Sequence, residues 1–559
     1  MSLGVPDYLI VGGGSAGAVL AARLAENPSV RVLLIEAGPD TPPGNVPDDV
    51  ADLFPSSSLN QNYFWPGLQA QRRPGGPLYP YPQARIMGGG SSIMGMWALR
   101  GVPSDFEAWE AAGAEGWGPS DVVKIYRKFE NDLDRDNTQA KPAPYTIRRV
   151  PHENWPPFAT AMERAAMARG MRTIGDINED PSEGFFPLPL SHGDARSSSA
   201  STYLTSAVRR WPNLEIMADT QVTKLRFDGT RAVGVTVRRG GVTSNIDARE
   251  VILSSGAVHS PAMLMRSGIG PGDELQRLGI APVAVRAGVG RNLQNHPYLN
   301  IAMTLPSGQR MAESLRHFAL AGIRVSSGLK DCPPADLMVF AIGRVSGRGW
   351  GPSLAMVGAS VYAPFSRGSV TLSSPDIDVR PAISFQFMTD PRDAPRMVQA
   401  TRFAESLLME TAVKDTFNDA FLLPPIMALN QFDRPGVTGS IMAQAATLLL
   451  NAPAPVSRFV LNRMLQPGRW IGNAKRRQAL TDDEILGAVA PMGHVTSTCS
   501  IGRPDNPMAV VDKNLRVYGI DNLRVVDASV MPCVPSANTN LTTIMVAERA
   551  AELIASGVR

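Results

Sequence analysis

The spacing of apolar and polar positions marks out elements mainly at the two ends of the chain. Residues 7–11, DYLIV, form a short apolar run with β character. VGGGSAG interrupts it, and AGAVLAARLAE resumes with helical periodicity. The segment RVLLIEAG, residues 31–38, is continuously apolar, as in a parallel strand covered by helices on both faces. A βαβ unit is therefore predicted at the start. Between residues 214 and 254 the pattern breaks into short strands with turn signals at Asp228-Gly229 and Gly240-Gly241, which predicts hairpins and a β meander. Near the end, NLRVVDAS closes a strand and IMVAERAAELI reads as an amphipathic helix. One nucleotide domain assembled from both ends of the chain follows. Residues 300–480 carry no readable motif and are assigned by elimination to a substrate domain built on a sheet.

Composition narrows the class. At 559 residues the chain is too long for one simple core and long enough to enclose a cofactor. Hydrophobic residues are 44% and charged residues 19%, which fits a compact enzyme and excludes disorder. The 54 basic and 51 acidic residues nearly balance, so nucleic acid is not an expected partner. Cys332, Cys499 and Cys533 show neither CxxC spacing nor a disulfide framework, and no metal-ligand spacing links the six histidines. No apolar run reaches the roughly 18 residues of a spanning helix, and neither a basic n-region nor a cleavage site is seen before DYLIVGGG. A soluble cytoplasmic protein is expected.

Gly12, Gly14 and Gly17 satisfy GxGxxG between a predicted strand and a predicted helix. Glycine there permits a tight turn and close approach to a pyrophosphate, while the helix N-terminus offers unpaired N–H groups to phosphate charge. Glu36 ends the second strand, 19 residues past Gly17, where a carboxylate can accept hydrogen bonds from an adenosine ribose. These residues alone do not choose between NAD and FAD.

The choice comes from a resemblance. ARIMGGGSSIMGMWALRG, residues 84–101, resembles the first signature of the glucose-methanol-choline oxidoreductases, a family that includes choline dehydrogenases and alcohol oxidases. GAVHSPAMLMRSGIG, residues 256–270, is similar to the second signature, and GVGRNLQNHP follows at 288–297. GHVTSTCSIG, residues 493–502, is similar to the family's HPxGTCxMG string, with LRVVDASVMP and PSANTNLTT after it. The resemblance covers roughly residues 1–110, 195–300 and 490–555.

This resemblance implies an α/β fold: a discontinuous Rossmann-type FAD-binding domain with an α+β substrate domain built on an antiparallel sheet. The expected FAD-binding parts are 1–150, 196–300 and 489–559, and the substrate parts 151–195 and 301–488. It implies FAD contacts from Gly12, Gly14, Ser15, Ala16, Gly17, Glu36, Ala37, Met87, Gly90, Ser91, Met94, Gly95, Val222, Asp527, Ala528, Asn538 and Thr539. The strand before Gly256 is expected beside the adenine. Several positions depart from the family pattern. Met94 replaces an asparagine beside the flavin, Val495 a proline and Ser497 a glycine, and Gly493 stands where relatives carry an aromatic residue. Ile93 occupies the position of the histidine that carries covalent flavin, so noncovalent FAD is implied.

The implied reaction is oxidation of an alcohol, with His494 taking the hydroxyl proton and hydride passing to the flavin. A neutral imidazole with a pKa of about 6.5 suits that task, and the Asn538 amide N–H can hold the developing alkoxide. Primary alcohols, aromatic or polyol, are the expected substrates, and the electron acceptor is oxygen or a quinone-type carrier. Two other readings stay open: a hydroxynitrile-lyase-like enzyme on the same fold, and a noncatalytic flavoprotein. His259 and His296 are expected to support loops, and Cys499 to be a buried small residue. His152, His192 and His317 have no interpretable context.

Between Arg434 and Leu480 lie seven basic residues, among them Lys475, Arg476 and Arg477, and no acidic one, alongside the apolar run IMAQAATLLL at 441–450. Such a segment suits a weak membrane-surface contact, a substrate lid, an oligomer contact, or a solvated cationic face over one buried helix.

Overall fold

The computed structural model describes residues 4–135, 143–423, 436–452, 454–465, 469–473 and 476–557. The opening apolar runs become the strands Tyr8–Val11 and Val32–Ile35, joined by the helix Ser15–Ala25. They lie inside a five-stranded parallel sheet. Its order runs Leu523–Val525, Glu250–Leu253, Tyr8–Val11, Val32–Ile35, Leu214–Met217. All four residues of VLLI are buried, as the lack of polar alternation requires of a strand covered on both faces. The C-terminal helix Thr539–Ala555 packs on the opening helix. Arg23 ties the two together, its Nε donating to Glu548 Oε2 at 2.9 Å while Tyr203 Oη donates to Glu548 Oε1 at 2.6 Å. That final helix is buried on nearly every side, so its sequence pattern understates its burial.

The meander forms at Gln221–Asp228, Arg231–Arg239 and Val242–Asp247, with Gly229, Gly240 and Gly241 at positive φ in the turns. Residues 214–217 and 250–253, predicted to belong to it, instead join the parallel sheet, the first at its edge and the second beside Tyr8–Val11.

The other half of the molecule rests on an antiparallel sheet of nine strands. Its central strands are Pro297–Thr304, Leu354–Val361, Leu337–Ile342 and Ala319–Val325. Gly184–Pro187 adds one edge, and Asp419–Leu422 leads to the other. The helix Asp393–Leu408 packs on it. Each buried Leu, Ile, Val or Phe contributes about 1.5–3 kcal/mol relative to exposure, and Ile301, Val339, Val357 and Phe421 are all fully buried here. Residues 69–71, expected in the nucleotide unit, pair with Ala382–Ser384 on a small sheet beside this core.

IMAQAATLLL lies in the helix Val437–Leu450, which presents Gly439, Ala443 and Ala446 inward and Val437, Ile441 and Leu448 to solvent. Of the seven basic residues expected in this segment, Arg434 and Lys475 lie outside the described residues, as do the side chains of Arg463, Arg469, Arg476 and Arg477. Arg458 pairs with Asp419. Among the described residues no helix is long and apolar enough to cross a membrane.

Candidate active site

One cavity of about 1060 Å³ runs from Glu36 at the end of the second strand to His494 between the two halves. It lies just above the roughly 300–1,000 Å³ of ordinary ligand pockets. At the Glu36 end the backbone sets the shape. Gly12 has φ +102°, and a Cβ there would stand 2.6 Å from the Ser254 carbonyl oxygen. A Cβ on Gly17 would stand 1.9 Å from the Gly12 carbonyl oxygen. Only glycine lets the turn and the first helical turn lie this close together. Gly14 caps a helix with no acidic residue in its first turn, so nothing competes with a phosphate for its free amides.

Glu36 accepts from the Gly13 and Gly38 backbone amides, each at 2.8 Å. Burial pushes its carboxyl above the usual range, and the two amides pull against that shift. Asp527 likewise accepts from Gly256 N at 2.9 Å, Ser260 Oγ at 2.6 Å and Ser529 N at 2.8 Å, which fastens the C-terminal segment to the helix Gly256–Arg266. Gly12, Gly14, Ser15, Ala16, Glu36, Ala37, Gly90, Ser91, Met94, Gly95, Val222, Asp527, Ala528, Asn538 and Thr539 all line the cavity. Two expected contacts do not. Gly17 lies under the turn, and Met87 is fully buried behind Gly13, with its Sδ 2.5 Å from where a Gly13 Cβ would be. Both shape the loop from behind. The glycine cradle, the acid-free helix N-terminus and the volume of the cavity fit FAD.

At the other end, GVGRNLQNHP fastens both C-terminal signature loops. Asn292 Nδ2 donates to the Pro532 carbonyl at 3.0 Å, and Gln294 Oε1 accepts from Val534 N at 3.1 Å. Asn295 Nδ2 donates to the Met492 carbonyl at 2.6 Å and Asn295 Oδ1 accepts from His494 N at 3.2 Å. The loop carrying His494 is thus clamped on both sides of residue 493. His494 Nε2 lies 3.0 Å from Asn538 Nδ2, and His494 Nδ1 lies 2.8 Å from His296 Nδ1. Tyr362 Oη donates to Asn538 Oδ1 at 3.1 Å, which turns the amide nitrogen toward His494. Burial lowers the His494 ring to about 4, so it is a neutral base near pH 7.

His494 and Asn538, 44 residues apart, were expected to converge, and they do so on one wall. His296 was expected only to support a loop, yet it contacts the His494 ring. His259 lines the cavity near its middle, against Trp65 at 4.4 Å between ring centroids. Burial, with Arg266 and Arg380 nearby, lowers it to about 3. Ser497, where relatives carry glycine, has φ +73° and is fully buried, so this chain holds a serine in the left-handed region. The Met94 thioether lies about 3.9 Å from where a Gly493 Cβ would stand, so the methionine takes up part of the room left by that glycine. Cys499 is fully buried and its thiol is pushed well above the usual range.

Beyond His494 the cavity has apolar walls that include Trp97, Phe318, Phe340, Ile342 and Met356, with Arg72 and Tyr298 also on the lining. Among the described residues Glu36 and Asp527 are the only carboxylates on the lining, and both belong to the nucleotide end. Asn300 is also on the lining, and its Oδ1 is buried without a hydrogen-bond partner among the described residues.

Comparison with known proteins gives the same outline. The N-terminal family model described as GMC oxidoreductase matches residues 6–298, and its C-terminal counterpart matches 364–547. The chain is 37% identical to 5-(hydroxymethyl)furfural oxidase of Methylovorus sp. (strain MP688), covering 98% of each chain. It is 32% identical to the mitochondrial choline dehydrogenase of Homo sapiens, over 98% of this chain and 89% of that one. Pyridoxine 4-oxidase from Mesorbium loti superposes with a TM-score of 0.78 at 27% identity, covering 98% of both chains.

Proposed function

The chain belongs to the GMC (glucose-methanol-choline) oxidoreductase family, and from that premise we propose that it is an FAD-dependent oxidoreductase acting on the CH–OH group of uncharged, aryl or apolar primary alcohols. The observation that carries this reading is the pairing of His494 Nε2 with the Asn538 amide at 3.0 Å, on the wall of a cavity whose other end is a glycine-built dinucleotide cradle. FAD, when bound, supplies the acceptor for the hydride leaving the carbinol carbon. Gly12, Gly14, Glu36, Gly90 and Asp527 hold its nucleotide and ribityl parts. His494 Nε2 takes the hydroxyl proton. The Asn538 N–H holds the alkoxide oxygen as negative charge gathers on it, in a site that burial keeps from bulk water.

The lining favours neutral substrates. A quaternary ammonium group is best held by a carboxylate beside an aromatic cage near the reacting carbon; rings are present at that end, but among the described residues no carboxylate lines it. The two relatives named for hydroxymethyl-bearing or pyridoxine substrates support an aromatic alcohol. The cofactor is held without a covalent bond: Ile93 offers no nucleophile and is fully buried. Oxygen or a quinone-type carrier reoxidises it, and aerobic peroxide formation distinguishes the two.

The test is anaerobic mixing of the yellow protein with furfuryl or benzyl alcohol and, separately, with choline. Bleaching is expected with the aromatic alcohols, and His494→Ala should keep FAD while slowing bleaching by about 10²–10⁴-fold. Unchanged bleaching in that variant defeats the reading. Cyanide release from a cyanohydrin without bleaching would make the protein a lyase. Acid precipitation should release all flavin into solution.

A further inference from the structure

His494 does not stand alone behind its substrate-facing nitrogen. His296 Nε2 lies 3.1 Å from the Tyr362 carbonyl oxygen, and its Nδ1 lies 2.8 Å from His494 Nδ1. A carbonyl can only accept, so His296 carries its hydrogen on Nε2. Burial and the neighbouring His494 hold His296 well below the usual histidine range, and they outweigh the Tyr362 and Pro535 carbonyls, which favour the charged ring. His296 is therefore neutral, and its Nδ1 is a bare acceptor. The hydrogen between the rings must then sit on His494 Nδ1, which leaves His494 Nε2 bare beside the Asn538 N–H.

The circuit closes through one residue. Tyr362 sets the His296 tautomer through its carbonyl, stacks on that ring at 4.4 Å and 8°, and fixes the Asn538 amide through its hydroxyl. Burial raises the Tyr362 phenol well above its usual range, so it remains an O–H donor. Each donor in the ring of four residues has one acceptor, and only one tautomer of His494 satisfies all of them.

We propose that His296 is a positioning residue that, with Tyr362, holds His494 in the tautomer whose Nε2 can receive the alcohol proton. This rests on the assignment of His494 as the base. In the reaction the alcohol O–H bond breaks and its proton moves to His494 Nε2. The Nδ1–H stays directed at His296, whose neutral nitrogen then accepts from a charged ring, a stronger hydrogen bond than before. The carbinol C–H pair leaves as hydride to FAD, so the alcohol loses two electrons and two hydrogens overall. Without His296, His494 is free to carry its hydrogen on Nε2, the nitrogen that must be bare.

The holoenzyme with ¹⁵N-labelled histidine tests this directly. The His494 signals, assigned by their loss in His494→Gln, should show a protonated Nδ1 and a bare Nε2. His296→Leu should retain FAD, lose that tautomer preference and slow anaerobic bleaching on the order of 100-fold, the scale of a mispositioned catalytic group. His296→Asn, whose amide oxygen can stand where Nδ1 stood, should recover at least about tenfold of that loss. A wild-type His494 protonated on Nε2 overturns the inference, as does a FAD-loaded His296→Leu or His296→Asn protein bleaching within about twofold of wild type without the tautomer being held. If His494→Ala itself bleaches normally, the fault lies with the assignment of the base and not with His296.

Discussion

The nucleotide cradle and the central sheet of the substrate half are held in shape by different kinds of contact. In the nucleotide-binding half, backbone meets backbone: Gly17 lies against the Gly12 carbonyl, Gly12 against the Ser254 carbonyl, and Gly38 against the Arg85 carbonyl. In the substrate half, the close neighbours of glycines on the central sheet are rings, Phe186 beside Gly322 and Phe340 beside Gly358. There the deepest fixed point is a charged network. Arg396, fully buried, donates to Asp393 at 2.5 Å and to Asp336 at 3.1 Å, and those carboxylates also accept from Ser366 and Ser327. A carbonyl cannot step aside and a ring can. The glycine turn therefore offers a rigid cradle for the cofactor, and the ring-filled part of the central sheet offers walls that can be repacked.

The largest effect should come from placing a methyl group where backbone meets backbone. Gly17→Ala must displace the Gly12 carbonyl, so the protein should purify without FAD or fail to fold. Gly308→Ala, where nothing lies within 4 Å of the added carbon, should load fully. The flavin-to-protein absorbance ratio of the two variants measures the difference. A yellow, fully loaded Gly17→Ala protein would show that the cradle yields as readily as the substrate walls.

The next effect separates the halves by stability. Arg396→Met leaves Asp336 and Asp393 buried without their cation, a loss of about 3–5 kcal/mol on the scale of broken buried ion pairs. Thermal unfolding should begin earlier, and limited proteolysis should cut first in the substrate half around 320–420 while flavin is still bound. Simultaneous loss of flavin and of that region would mean that the halves unfold as one unit.

This difference also decides what could be read from the sequence. Gly12, Gly14 and Gly17 stand within six residues and each answers a local steric demand, so the pattern and Glu36 were legible. His494 and Asn538 were legible through their flanking strings. His296 was not given its role, because the contact joins residues 198 apart and nothing local marks which nitrogen faces which ring. Arg396 gave no signal either: in a helix, an arginine three residues after an aspartate reads as an ordinary surface pair. The edge strand at 214–217 was misplaced because adjacent meander strands offered a nearer partner than the parallel sheet. The resemblance implies a cofactor contact from Met87, whose side chain turns behind the glycine run.

The smallest effect concerns the seam, where His494 from one half meets the walls of the other. The base must be neutral to receive a proton, and burial lowers its pKa to about 4 from an ordinary value of about 6.5. The rate of anaerobic bleaching should therefore stay level from neutral pH down to about 5 and fall only as pH drops through about 4. Stability moves in the same direction. The unfolded chain protonates this histidine below about pH 6.5 while the folded ring stays neutral to about 4, and His259 and His317, lowered by burial to about 3 and 4, behave alike. The contribution of these rings is thus fully present above pH 6.5 and declines through that acid window. An acid limb near 6.5 in the bleaching rate would mean that water reaches the ring freely. The seam would then be open, and the rigid cradle and the repackable walls would not enclose one site between them.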